Sequence, residues 1–209
     1  VGGLAAIAQS DLKRMLACSG IAQLGVMLLG FVPSVVAGNT VSAGNGYGSS
    51  LFYVLTYVLT TLGTFGLIMV LSRPGFESEE ISDLAGLHKR SPMLAGVMAV
   101  FMFSLAGIPP TVGFYAKLAV LQALITTNDP VLLTVSIVAV LLSLVAAFYY
   151  LRVIKVMYFD EPAAQAPAIQ GGAAPALLSI NALAVLVLGI LPGALMTLCA
   201  NVITQSLAG

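Results

Sequence analysis

"SLAGIPPTVGFYAK", residues 104–117, interrupts a run from Pro92 to Thr127 that is otherwise apolar enough for lipid. At 1.5 Å per residue, a straight helix over these roughly 36 residues would be about 54 Å long. The hydrocarbon core of a bilayer is about 30 Å thick. The run must tilt steeply, protrude or break, and its residues favour a break. Pro109 and Pro110 lack the N–H that a helix interior uses, and each restricts the residue before it. Gly107 and Gly113 relax the backbone on either side. The expected form is a half-helix up to about Ala106, an unwound link through Val112, and a second half-helix from Gly113. Unwound backbone at membrane depth is tolerated only inside protein or beside a water-filled cavity. Discontinuous helices of this kind mark ion and substrate paths.

Lys117 falls one turn into the second half-helix. A lysine at the bilayer centre costs roughly 2.5–3.5 kcal/mol on insertion scales. One reading makes it a proton carrier, an amine whose charge is negotiable where water is scarce. The other makes it a structural lysine that snorkels or pairs with a distant acid. The adjacent break favours the first, because snorkelling from mid-helix would expose much of the second half-helix. All eight acids sit at segment ends or in loops. The partner of Lys117 is therefore expected to be water, backbone carbonyls, or an acid from elsewhere in an assembly.

Composition extends this reading to the whole chain. Of 209 residues, 59% are hydrophobic and 8% charged, against about 25% charged in soluble domains. The fold class is an all-α, polytopic transmembrane bundle with one discontinuous helix. A net charge of zero excludes the basic footprint of a nucleic-acid binder. Cys18 and Cys199 lack metal-type spacing and fall toward opposite faces, so both read as free thiols. No metal-ligand cluster, nucleophile triad, Walker loop or dinucleotide fingerprint is present in the sequence, so redox or hydrolytic chemistry in this chain is unsupported.

The expected spans within this single domain (1–209) are 12–32, 51–72, 92–127 broken near 107–113, 131–157 and 176–204. "VGGLAAIA", 1–8, reads as the tail of a helix that begins earlier, as in a fragment or processed chain. Ser10 is the expected N-cap of the first span, with Asp11 favouring its positive end. "GNTVSAGNGYGSS", 38–50, is expected as a polar loop. The centre of "RPGFESEEISDLAGLHKRSP", 73–92, is expected as a short interfacial helix. "FDEPAAQAPAIQGGAAP", 159–175, reads as irregular, and "GILPG", 189–193, as a kink. Lys13, Arg14, Arg73, Lys89, Arg90, Arg152 and Lys155 then share one face. Connections 33–50 and 128–130 and the C-terminal end hold no Lys or Arg. That asymmetry places the basic loops in the cytoplasm.

Tyr53, Tyr57, Thr60 and Thr64 are spaced four, three and four apart and share a helical face. They read as a proton lane or as interhelical packing. Ser19 and Gln23, four apart, could line the same axis or simply pack. Tyr149 and Tyr150 are expected as interfacial anchors, with proton entry as the other reading. His88 is expected as a solvated loop histidine, with proton collection as the alternative.

Four stretches carry a resemblance: "AIAQSDLKRMLACSGIAQLG" (6–25), "FYVLTYVLTTLGTFGLI" (52–68), "SLAGIPPTVGFYAK" (104–117) and "YYLRVIKVMYFDEP" (149–162). Together and in this order they resemble the C-terminal part of the subunit N family of bacterial NADH–quinone oxidoreductase, respiratory complex I. The first and third are shared with the wider antiporter-like family. The resemblance implies proton translocation through a lysine-centred hydrophilic axis, driven by redox chemistry in other subunits. It makes Lys117 the proton carrier and Gly107, Pro109, Pro110 and Gly113 the helix break. It implies no cofactor in this chain, with FMN, iron–sulfur clusters and quinone in other subunits. The implied partners are other complex I membrane subunits, especially neighbouring antiporter-like ones, and the lipid bilayer of the bacterial inner membrane. Further axis residues, a glutamate and lysines, belong to earlier helices of the family. Cys18, Gln23 and Val26 depart from its frequent tyrosine, histidine and tyrosine, so a histidine relay at position 23 is absent. The rival readings are a multisubunit sodium/proton antiporter subunit and a structural membrane scaffold.

Overall fold

The computed structural model describes residues 1–33, 40–72, 80–162 and 173–208, and every regular element among them is helical. Helix α1 spans Gly2–Ile7 and α2 spans Leu12–Leu29. Asp11, not Ser10, is the N-cap of α2: its carboxylate accepts from the Arg14 amide at 2.9 Å. The Ser10 carbonyl instead accepts from the Ile81 amide at 3.0 Å. The cap therefore falls one residue later than expected. Asp11→Ala is expected to remove about 1 kcal/mol of helix stability. Amide exchange over Lys13–Met15 in the assembled protein would accelerate about fivefold.

Helix α3 runs from Thr40 to Leu71, so the stretch expected as a loop before residue 51 is helical from Thr40 onward. Its glycines serve close helix approach rather than turns. A Cβ on Gly46 would collide with the Gly30 carbonyl, and one on Gly48 would lie 3.4 Å from Ala200 Cα. Ser50 Oγ fastens the contact by donating to Met27 O at 2.9 Å.

Arg73 and the first part of the expected interfacial helix lie outside the described residues. A 3-10 turn, Ile81–Leu84, leads into the four-residue α4, Leu87–Arg90. Gly86, at φ +62°, separates them. Ile81, Leu84 and Leu87 are buried and close this end of the bundle.

Then come α5 (Pro92–Ala106) and α6 (Val112–Ile125), with the interruption where it was expected and α6 starting one residue earlier. Their 15 and 14 residues make rods of about 22 and 21 Å, each too short for a 30 Å core. Helix α7 spans Pro130–Phe159, with Pro130 at its first position and Asp129 accepting from the Val131 and Leu132 amides at 2.8 and 3.0 Å. Most of the expected irregular linker, 163–172, lies outside the described residues. Helices α8 (Ala173–Ile190) and α9 (Gly193–Ala208) complete the order. The kink expected at 189–193 is a full interruption at Leu191–Pro192, where Pro192 has no amide to continue the ladder.

Leu12–Leu29, Gly44–Leu71, Pro130–Phe159 and Ala173–Ile190 are long and apolar enough to cross a membrane. Val131, Leu133, Ile137, Leu141, Leu144 and Phe148 form an exposed apolar flank on α7 that suits lipid or an apolar neighbour. This is a multi-pass membrane protein.

The interrupted pair occupies the centre: α5 packs on α3, α7 and α8, and α6 on α3, α8, α7 and α2. At the break, α8 comes closest. A Cβ on Gly189 would collide with the Pro110 carbonyl and lie 2.6 Å from Thr111 C and Val112 N. Gly189→Leu is expected to force α8 away at a cost of about 1–3 kcal/mol, read as reduced thermal stability of the assembled protein.

Lys89, Arg90, Arg152 and Lys155 make their polar contacts with loop and helix-end residues. Arg152 Nη1 reaches the carbonyls of Ile7 and Gln9 at 3.4 and 3.5 Å. Lys89 pairs with Glu161 at 2.9 Å and Lys155 with Asp160 at 2.6 Å. Arg90 donates to Asp83 O at 2.9 Å. His88 is not a freely solvated loop histidine. It is half-buried, stacked on Tyr158 with ring centres 5.6 Å apart, and its Nδ1 lies 3.1 Å from Met157 O. Tyr149 and Tyr150 are not interfacial anchors either. Both are fully buried, with ring centres 4.6 Å apart, because their side of α7 faces the interior. Cys18 and Cys199 are free thiols, half-buried and buried.

Candidate functional site

The site begins with a gap in the helical ladder. In an α-helix each carbonyl accepts from the amide four residues on. For Leu105 and Ala106 those residues are Pro109 and Pro110, which have no N–H. The end of α5 is otherwise closed by Gly107 in the left-handed region at φ +82°. The Ile108 amide returns to Phe103 O at 3.0 Å and the Gly107 amide to Ser104 O at 3.1 Å, a Schellman arrangement. Two carbonyls remain without an amide, at the end of α5 where the helix dipole is negative.

Lys117 takes both. Its Nζ donates to Leu105 O and Ala106 O, each at 2.9 Å, and the residue is only 8% exposed. Backbone carbonyls, one of the partners expected for it, are present among the described residues. No ion pair to Lys117 occurs among the described residues. Gly107 is required for this grip: a Cβ there would sit 2.9 Å from Lys117 Cδ and 3.1 Å from Nζ.

Gly113 brings the start of α6 against the end of α5; a Cβ on it would collide with the Ser104 carbonyl. The Gly113 amide donates to Ser104 Oγ at 3.3 Å. Ser104 Oγ lies 3.2 Å from Thr60 Oγ1, and Thr60 donates to Thr56 O at 2.9 Å. With Gly113 donating to Ser104 and Thr60 donating onward, the Ser104 hydroxyl hydrogen points to Thr60. Pro109, Pro110 and Thr111 complete the link, and the Pro109–Pro110 bond is cis. Thr111 Oγ1 donates back to Ile108 O at 2.7 Å.

A cavity of about 20 Å³ opens between α3, α5 and α6, room for about one water. Lys117, Gln23, Tyr53, Tyr57, Thr60 and Ser104 line it, with Thr56. Five sequence candidates, Lys117, Gln23, Tyr53, Tyr57 and Thr60, thus meet at one point. Thr64 does not line it and bonds back to Thr60 O at 2.8 Å. Ser19 is buried nearby on α2 and donates to Leu16 O at 2.7 Å. Thr56 and Ser104 are the polar residues sequence reasoning left out, and Tyr150, expected at the interface, meets the site through Gln23. Thr56 lies three after Tyr53 and four before Thr60, so the helical period alone could have found it.

Gln23 joins the two sides. Its Nε2 donates to Leu105 O at 2.9 Å and to Tyr150 Oη at 3.3 Å. Its Oε1 accepts from the Tyr53 hydroxyl. The arrangement can hold one cation on carbonyl oxygens beside a water-sized, hydroxyl-lined space. Among the described residues, no group of His, Cys, Asp or Glu could hold a metal ion.

Comparison with known proteins identifies the family. Residues 1–143 match the family described as NADH:quinone oxidoreductase/Mrp antiporter, TM. The chain is 56% identical over 208 residues to NADH-quinone oxidoreductase subunit N of Herminiimonas arsenicoxydans, covering 100% of this chain and 42% of that protein. It is 57% identical over 207 residues to the subunit N of Polaromonas naphthalenivorans, covering 98% of this chain and 41% of that protein. The chain thus spans about two-fifths of the length of these relatives. Among solved structures, a chain of respiratory complex I from Thermus thermophilus with bound aureothin superposes with a TM-score of 0.76 at 30% identity, over 94% of this chain and 42% of that one. A chain of the Mrp complex from Dietzia shares the fold, with a TM-score of 0.78 at 23% identity, over 98% of this chain and 44% of that one. By the match over residues 1–143, the chain belongs to the NADH:quinone oxidoreductase/Mrp antiporter transmembrane family.

Proposed function

We propose that this chain is the lysine-bearing part of a subunit N-type membrane component of NADH–quinone oxidoreductase, and that Lys117 carries the translocated proton. The observation that supports this most directly is the seat of Lys117 on the carbonyls of Leu105 and Ala106. An ammonium there has two acceptors and no fixed counter-ion among the described residues. Its charge state therefore answers to whatever charge a neighbouring chain segment or subunit presents. Each tenfold change in proton affinity requires about 1.36 kcal/mol of differential interaction.

In the charged form Lys117 fills both carbonyls. After releasing its proton the amine keeps two N–H groups for them and gains a lone pair, which can accept from a water in the adjoining cavity. Ser104, Thr60, Tyr57 and Tyr53 supply hydroxyls around that space. Gly107, Pro109, Pro110 and Gly113 keep the helix broken so that the seat exists. Redox chemistry, with FMN, iron–sulfur clusters and quinone, belongs to other subunits. Neighbouring antiporter-like subunits and lipid surround this one. The membrane is the bacterial inner membrane, with the basic loops cytoplasmic.

The test uses the whole assembly containing this chain, purified and placed in proteoliposomes. NADH with a quinone should build a protonophore-sensitive pH gradient that does not need sodium. A gradient that requires sodium and ignores NADH would overturn the proposal in favour of a cation/proton antiporter.

A further inference from the structure

We infer that Gln23 is a positioning residue for Lys117, acting through the one carbonyl the two side chains share. The inference rests on the carrier role proposed for Lys117 and adds a second residue to it. Leu105 O accepts from Gln23 Nε2 and from Lys117 Nζ, both at 2.9 Å. A carbonyl oxygen has two lone pairs and donates nothing. Both lone pairs are therefore engaged, and the strength of one bond limits the other.

The same fact orients the amide. An accept-only carbonyl must face the NH2 side of Gln23, so Oε1 must face Tyr53, and the Tyr53 hydroxyl must be the donor there. Tyr150 Oη then accepts the second Nε2 hydrogen at 3.3 Å. Gln23 is 4% exposed, and these protein partners engage both of its Nε2 hydrogens. An amide held in one sense does not pass protons along. Gln23 thus sets how firmly the Leu105 carbonyl grips the Lys117 ammonium, and Tyr53 sets Gln23. This differs from the carrier-lane reading of the same two residues.

Among the described residues, the titratable groups around the amine are few. Helix α3 contributes Tyr53 and Tyr57. Helix α7 contributes Tyr149 and Tyr150 behind Gln23, and α6 itself contributes Tyr115. Helix α2 adds Cys18, more than a turn from Gln23, while α5 and α8 carry no titratable side chain. A change in pH response on altering Gln23 therefore reports on Lys117.

The test is Gln23→Met, close in volume but unable to donate or accept as the amide does. The readout is proton pumping per electron against pH, in the assembled complex in proteoliposomes, normalised to subunit content. Leu105 O, freed of its competing donor, holds the ammonium more firmly. The pH profile of pumping should move toward alkaline by about half a pH unit or more. If Gln23→Met does not assemble, Tyr53→Phe unpins the amide and should move the profile the same way by less. A profile that superimposes on the parent in whichever variant assembles overturns the inference, since a packing role alters content and not pH response. Lys117→Ala runs alongside. If it pumps normally, the carrier role itself fails. If it does not pump and the Gln23 or Tyr53 profile is unmoved, only the positioning role fails.

Discussion

Lys117→Ala is expected to remove the whole share of protons per electron that this subunit carries, while the complex still assembles. Truncation deletes the one buried cation of the site, leaves Ala106 O without its donor, and leaves Leu105 O with Gln23 Nε2 alone. The orphaned Ala106 carbonyl costs about 1–3 kcal/mol if it stays dry. The cavity beside them already approaches the size of a water, and losing the lysine side chain enlarges it. Water can then satisfy the carbonyls, so the stability loss should be modest against the functional one. Lys117→Arg separates charge from proton exchange. A guanidinium can still donate to both carbonyls but does not release its proton in the working pH range. Assembly should hold and pumping should fail. Quenching of a pH-sensitive dye in proteoliposomes, divided by electron flux, reads both variants. An unchanged ratio in Lys117→Ala would leave the lysine a packing residue and support the scaffold reading.

Gly107→Val carries the second large effect, on structure and function together. The backbone at Gly107 has φ +82°, a region costly for any side chain and worst for a β-branched one. Backbone strain alone is about 1–3 kcal/mol. The new Cβ would also press on Lys117, 2.9 Å from Cδ and 3.1 Å from Nζ. Relief requires unwinding the end of α5 or expelling the lysine from its seat. The expected result is a lower melting temperature of the assembly and loss of the pumping share. Gly107→Ala should give a milder form of both. Gly96→Ala is the matched control, because nothing lies within 4 Å of a Cβ at Gly96, in the interior of α5. It should stabilise the helix by about 0.5–1 kcal/mol and leave pumping as it was.

Several misreadings share a cause: a residue type with two structural uses. Glycines 46 and 48 look like turn formers, yet in α3 they let helices touch. A tyrosine near a helix end serves an interface as well as a core, and Tyr149 and Tyr150 turn inward. Ser10 and Asp11 are both good caps, and Asp11 is the one whose carboxylate meets the Arg14 amide. Nothing local to these stretches distinguishes the two uses, because the distinction lies in what packs against them. The site was more legible than it first looked. Counting four residues on from Leu105 and Ala106 lands on two prolines, so two carbonyls without amides were already implied.

The amino-acid order by itself determined that the chain lives in lipid, where it breaks, and which carbonyls the break orphans. The reasons are apolar length, prolines without amides, and the helix's fixed four-residue reach. Only the tertiary structure decided that Lys117 is what reaches those carbonyls, that Gln23 from α2 shares one of them, and that Gly189 lets α8 lie against the break. Such choices join residues 11 to 82 positions apart in the chain, and no local period encodes which distant side chain arrives.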